Sequence, residues 1–462
     1  MFYARCGRQL YKTVLLMSYC YQLAQTVNEQ FVGRLSMSRR HLATMGYNEN
    51  YQYFSAVVSR CIFEFLLGGS MKAYGLMTTF VTEKLAISHS VLGLILCLQQ
   101  SVGYLTSPVI SQLVTYYGIR PVALLGGLLF GLGYFGQSFF HNHVVFFIIF
   151  CTCSGFGTGC LTLSSYFHML QVFGDGFGLA TSITSQCLFL GVCLIPLIFE
   201  HLWDQFGLHG ALLIFSAFCW NCIISAVLMK PTQTKLSETV TECSKEDEEA
   251  NSNSIFIKLK QLFLNMKQLV NKHKTIPLLL VIVYVHFACY FSWALFLVPV
   301  AEQRGFDKSS AVLLSTAGGV GGILGRTGCS ILFALNNTQP FFHFFLPLVL
   351  QTIAFVGVAY SKTMMSLLVF SGLSGFTLGF IDGSLPGFIP LNLSKAEIPV
   401  AFTIHFLVYA VGMESGSYLA GLMFDIFASY TAVFVLEAVF SVIAALSAVI
   451  WQLSFISRGV TQ

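Results

Sequence analysis

The chain has 462 residues, of which 55% are hydrophobic and only 10% charged, and a formal net charge of +4. Soluble domains carry about 25% charged residues. Here the deficit runs along the whole chain, which excludes a globular enzyme on a single anchor and points to an all-α protein that crosses a membrane many times.

In chain order, residues 1–54 come first, as a basic tail with Arg5, Arg8, Lys12, Arg34, Arg39 and Arg40 against Glu29 and Glu49. A positive-inside tail explains this composition, and a mitochondrial presequence is the alternative. Twelve predicted helices follow, each near the roughly 20 residues that span about 30 Å of hydrocarbon. Six lie at 55–81, 90–114, 122–140, 143–163, 176–200 and 210–229, and form an N-terminal half, 55–229. Residues 230–275 are polar, with eight lysines against six acids, and read as a central linker. Six more helices, at 276–300, 309–334, 340–360, 363–390, 397–424 and 429–453, form a C-terminal half, 276–453, before a short tail, 454–462.

With the N-terminus inside, 17 of the 24 Lys and Arg fall in cytoplasmic segments. The outside loops hold Lys84, Arg304, Lys308 and Lys362. Both termini and the linker are therefore expected to be cytoplasmic. All but Cys6, Cys20 and Cys243 of the 14 cysteines lie in apolar runs, and even the Cys219–Cys222 pair reads as apolar packing.

The halves resemble one another. GYLTSPVISQLVTYYGIRP (103–121) aligns with GILGRTGCSILFALNNTQP (322–340), matching Gly103 with Gly322, Ser111 with Ser330 and Pro121 with Pro340. Two parallel six-helix repeats are the plan of a rocking secondary transporter with its site between the halves.

A charge at the bilayer centre costs about 2.5–3.5 kcal/mol on insertion scales, so each needs a partner or a wet cavity. The deep ionisable residues are taken as Glu64 and Lys72 in the first span, Arg326 in the eighth, Asp382 in the tenth and Glu414 in the eleventh. At about 1.5 Å per residue, Lys72 stands about 6 Å outside the midplane and Arg326 about 7 Å inside it. Two cations that bracket the midplane suit a site that passes an anion between faces. Asp382 should lie level with Arg326 and pair with it, whereas Glu64 and Lys72 sit poorly for a direct pair. Asp382, Glu414 and Glu64 are the candidate counter-charges, with structural hydrogen bonding as the other reading. Glycines 318, 319, 321, 322, 325 and 328 around Arg326 predict close helix approach. His286 and His405 lack ligand spacing and read as packed polar residues.

The segments SVGYLTSPVISQLVTYYGIRPVALLGGLLFGLGYFGQSFF (101–140), MKAYGLMTTFV (71–81), SSAVLLSTAGGVGGILGRTG (309–328) and GSYLAGLMFDIFASYTAVF (416–434) resemble the monocarboxylate transporter family of the major facilitator superfamily. The resemblance covers about 49–454. It implies the twelve-helix, two-half major facilitator fold. It also implies a substrate carboxylate held by the first-span lysine, here Lys72, and the eighth-span arginine, here Arg326. The chain departs from the pattern in several places. Family members that co-transport protons carry an aspartate where Gly322 stands. ENYQYF (49–54) replaces the D-G-G-W-G-W signature, and HMLQVFGDGF (168–177) lacks the expected basic pair.

Two readings of coupling stay open: Asp382 carries the proton, or the chain is a facilitative, uncoupled carrier. A transport-inactive scaffold is a third reading. No H-E-x-x-H, G-x-S-x-G or Walker A motif, cofactor motif or metal-ligand spacing is present, so the sequence does not read as an enzyme. The expected partners are a small organic anion, a proton if coupled, the lipid bilayer and the single-span glycoprotein chaperone that the resemblance implies; nucleic acid is not expected. The expected location is the plasma membrane, with a mitochondrial membrane as the alternative.

Overall fold

The computed structural model describes residues 47–85, 89–139, 144–229, 255–335, 338–394 and 397–459, and every long regular element among them is a helix. The N-terminal half holds α1 (Tyr47–Leu85), α2 (His89–Leu105), α3 (Ser107–Tyr117), α4 (Ile119–Gln137), α5 (Val144–Phe173), α6 (Phe177–Thr184), α7 (Gln186–Cys219) and α8 (Cys222–Leu228). After α9 (Ile255–Lys272) come α10 (Thr275–Gln303), α11 (Lys308–Ala334), α12 (Leu346–Tyr360), α13 (Met364–Phe388), α14 (Ile398–Phe427) and α15 (Tyr430–Gly459).

Nine helices among the described residues are long and apolar enough to cross a membrane. The count reaches the twelve expected crossings when two local breaks and one weakly apolar helix are recognised. The run Phe177–Leu228 is continuous in that count. Yet Gly207 interrupts α7 at φ 69° and ψ 173°, where a side chain would be strained, and so separates the fifth crossing from the sixth. The second crossing is divided at Thr106, and Pro108 restarts the helix in its first turn, where no amide donor is needed. The eighth, α11, carries glycine and serine in place of larger apolar side chains, and Asp307 caps it by accepting from the Ser310 amide at 3.0 Å. The Ser310 side chain and amide together hold the Asp307 carboxyl below its ordinary range.

Packing repeats in the two halves. Crossing 1 (α1) packs on crossing 5 (α7) as crossing 7 (α10) packs on crossing 11 (α14). Crossing 2 (α2) packs on crossing 4 (α5) as crossing 8 (α11) packs on crossing 10 (α13). One close approach is alike in both: a side chain at Gly159 would strike the Gly103 carbonyl, and one at Gly379 would strike the Gly322 carbonyl. Gly103 and Gly322 are the residues that open the aligned sequence repeat, so the weak identity there reflects a shared need for backbone contact. Gly321 and Gly325 likewise bring α11 against the α13 backbone at Gly372 and Phe376. The halves meet where α2 packs on α14, α7 on α11 and α1 on α10.

Within 230–275, expected only as a polar linker, α9 is an amphipathic helix. It buries Leu262, Met266 and Leu269, spaced four and three residues apart, against α14 and the end of α3. Lys272 at its end lies 2.8 Å from Glu397, which His273 also approaches at 3.4 Å. Lys272, with the Ser394 amide and hydroxyl, pulls the Glu397 carboxyl from 4.5 down to about 2. The helix therefore ties the same end of both halves together, and that end is called here the linker face.

Candidate functional site

Between the halves lies a chamber of about 30 Å³. The N-terminal half lines it with Glu64, Leu67 and Met71 of α1, Gln100 and Tyr104 of α2, Thr162 and Tyr166 of α5, and Ser185 and Leu188 around the α6–α7 junction. The C-terminal half supplies Phe287 of α10, Arg326 of α11, Asp382 and Pro386 of α13, and His405, Phe406 and Tyr409 of α14. Seven crossings in addition to α1 thus converge on one small void.

Arg326 is 2% exposed, and its Nη2 donates to Asp382 Oδ2. Its guanidinium also lies over the Phe189 ring, 5.1 Å from the centroid. The expected pair is therefore formed, between two helices that the glycines of α11 bring together. Arg326 Nε is buried without a partner, so the guanidinium keeps donor capacity that the aspartate does not use. The other Asp382 oxygen stands 4.0 Å from His286 Nε2. With its side chain 18% exposed, Asp382 is the more accessible member of the pair.

The N-terminal half holds a second buried pair that the sequence reading overlooked. Arg60, fully buried, lies 2.6 Å from Glu64 one helical turn on, donates to Ser165 Oγ at 2.8 Å and stacks 4.0 Å above the Tyr166 ring. Glu64, expected as a candidate counter-charge, thus has Arg60 as its cation. Buried guanidinium groups occur in both halves, at positions the repeat does not align. Arg60 was missed because it lies near the start of the first span, where a snorkelling arginine is ordinary. The available signal was its spacing from Glu64, four residues on one helix face. Its position also places a cation beside Tyr166–Phe167, next to the segment where the expected basic pair is absent.

Lys72 lies on α1, and its side chain is outside what the structure describes. Glu414 does not line the chamber; it accepts from the Ser101 hydroxyl where α14 meets α2, beside the Cys97–Ser417 contact at 2.9 Å. Glu437 of α15, also overlooked, is 2% exposed and accepts from Ser292 of α10. Among the described histidines, His286 is fully buried against α10 aromatics, while His405 lines the chamber. Gly322, where an aspartate was looked for, faces Phe189 so closely that any side chain would run into that ring.

Toward the linker face, aromatic side chains from both halves close the chamber. Tyr166 lies 5.5 Å from both Phe402 and Phe406, and Phe177 lies 5.7 Å from Phe402. Tyr104 stacks on Phe406 at 5.2 Å. These rings pack the two halves against each other on that side of the chamber.

The family model described as Major Facilitator Superfamily matches residues 61–413. Monocarboxylate transporter 2 of Meriones unguiculatus is 24% identical over 382 residues, covering 79% of this chain and 77% of that protein. Monocarboxylate transporter 2 of Homo sapiens is 26% identical over 330 residues, 67% of each chain, and human monocarboxylate transporter 6 is 30% identical over a shorter 146 residues, 30% of this chain and 28% of that protein. The crystal structure of the human organic anion transporter MFSD10 (TETRAN) superposes with a TM-score of 0.62 over 85% of this chain and 99% of that one, at 12% identity, a likeness of fold. Taken with the duplicated helix packing and the polar void at the seam, the match assigns this multi-pass chain to the Major Facilitator Superfamily, whose members here are transporters and not enzymes, as a divergent relative of its monocarboxylate transporters.

Proposed function

We propose that the chain carries a small carboxylate-bearing organic anion by alternating access, together with a proton, and that Arg326 holds the carboxylate. The observation that carries this reading is the buried Arg326–Asp382 pair facing the chamber between the halves. A guanidinium offers a carboxylate a planar two-point grip, and here it already holds one carboxylate that a substrate could replace. Lys72 is the second proposed contact. Glu64 serves as a fixed counter-charge and Asp382 as the exchangeable one, while Glu414, away from the chamber, takes the structural hydrogen-bonding role.

Competition at Arg326 favours coupling. Asp382 already occupies the guanidinium that the substrate carboxylate is proposed to take, and two carboxylates on one guanidinium would repel each other. A proton taken up by Asp382 removes that repulsion and frees Arg326 for the incoming carboxylate. Gly322 has no room for an acid, which supports Asp382 as its replacement. A volume of about 30 Å³ holds a water or two and no organic acid, so loading requires the halves to part. Positive-inside charge supports cytoplasmic termini and linker in a plasma-membrane protein.

Metabolite profiling of cells with and without the chain, followed by direct uptake of the strongest hit, tests the reading. Arg326→Gln should abolish that uptake while the protein still reaches the membrane. Undiminished uptake would remove the proposed grip. Uptake that stays flat between about pH 6 and about pH 8 would remove Asp382 as proton carrier and leave a facilitative carrier.

A further inference from the structure

The C-terminal half contains a second cavity, of about 150 Å³, that no part of the transport reading uses. It lies among α10, α13, α14 and α15, lined by Thr275, Ile276, Leu279, Thr338, Leu391 and Trp451 with others. At its outer end is His273, 3.4 Å from Glu397 on the linker face. At its inner end is His405, which also lines the central chamber. His405 is 4% exposed and its Nδ1 has no hydrogen-bond partner. One imidazole therefore stands between two voids, with an unpaired ring nitrogen.

We propose that His405 relays protons between the central chamber and the linker face through this cavity, by a route separate from the anion's. The proposal rests on the reading that the chamber is the transport site. The direct passage between the halves is blocked by Tyr166, Phe177, Phe402 and Phe406. The side cavity has room for several waters, and a buried polar atom without a partner is where water is expected. A hydronium in the cavity adds its proton to one ring nitrogen of His405. The opposite nitrogen then releases its proton to a chamber water and on to the Asp382 carboxylate, leaving a neutral ring. The positive charge that enters is cancelled on Asp382, and no other reactant is needed. Asp382 of α13 and His286 of α10 act on the ring electrostatically, and the other titratable or charged groups lining its two voids are Arg326 of α11, Glu64 of α1, His273 before α10, and the phenols of Tyr104, Tyr166 and Tyr409. Asp382 is the carboxylate among them that is not held within its own helix.

Histidine C2 hydrogen–deuterium exchange on the full chain in lipid nanodiscs, read by mass spectrometry against pH, tests the relay without a substrate. Ala401→Trp fills the side cavity from α14, and Thr275→Trp does so from the opposite wall. Either should slow exchange at His405 at least about tenfold and leave the exposed His201 unchanged. Asp382→Asn should displace the midpoint of the His405 curve by about one pH unit. Exchange at His405 that is indifferent to a filled cavity, in a variant whose His201 exchange matches wild type, would overturn the route. An unmoved midpoint in Asp382→Asn would overturn its connection to the chamber. These results are independent of Arg326→Gln uptake, so the transport reading and the relay can fail separately.

Discussion

The two halves carry the same chemical device in different mechanical settings. Arg60 and Glu64 sit one turn apart on α1, so their pair moves as a unit when that helix moves. Arg326 and Asp382 belong to α11 and α13, so their pair depends on two helices and on a carboxylate with partial access to the chamber. A pair fixed within one helix can set a local charge but cannot easily be exchanged. A pair between helices can open for a competing carboxylate and close again. The comparison teaches that two equally buried guanidinium groups differ in whether their partner is free to leave, and on the proposed reading that independence, not burial, singles out Arg326.

The largest expected effect separates these roles. Arg326→Gln should lower uptake roughly a hundredfold or more in protein of normal yield, measured in membrane vesicles. Arg60→Met should instead cost about 3–5 kcal/mol of stability, by leaving Glu64 buried without its cation, and appear as lost folded protein in detergent. The double change Arg60→Met with Glu64→Leu should recover most of that loss, because both charges leave together. Poor folding of Arg326→Gln with normal folding of Arg60→Met would reverse the assignment.

A smaller effect sharpens the parallel between the halves. Gly159→Ala and Gly379→Ala should each cost about 1–3 kcal/mol in thermal unfolding, since each added methyl meets a glycine carbonyl on the neighbouring crossing. A large difference between them would break the packing equivalence.

The smallest effect concerns the tie at the linker face. Glu397 is held down to about 2 from 4.5. Its contribution is therefore fully present above about pH 4.5 and is lost as pH falls through about 2. Glu397→Gln should flatten the acid limb of the stability curve over that window, and nothing at neutral pH beyond the modest loss of an exposed ion pair. An unchanged acid limb would show that α9 is held by Leu262, Met266 and Leu269 alone.

Much of this was legible in the chain. Apolar length gave the order of the helices and most of their bounds, because hydrocarbon thickness leaves little choice of helix length, although α1 starts eight residues early and α5 runs ten residues past its expected end. The Arg326–Asp382 pair followed from matching depths on two helices that run the same way. Arg60 was not recovered, because an arginine near a span end has two outcomes, snorkelling or burial, and only Ser165 and Tyr166 decide between them. The α9 helix was hidden by polar composition, although Leu262, Met266 and Leu269 carried its period.

The sequence by itself determined an all-helical, duplicated membrane protein with deep charges that need partners, because desolvation makes an isolated charge too costly wherever the helix lies. Tertiary structure alone decided which charges share a chamber, that Gly322 has no space for an acid, and that His405 stands between two voids. Those facts depend on side chains from helices distant in sequence meeting within a few ångströms. No local pattern encodes such a meeting, because it is set by how the helices pack.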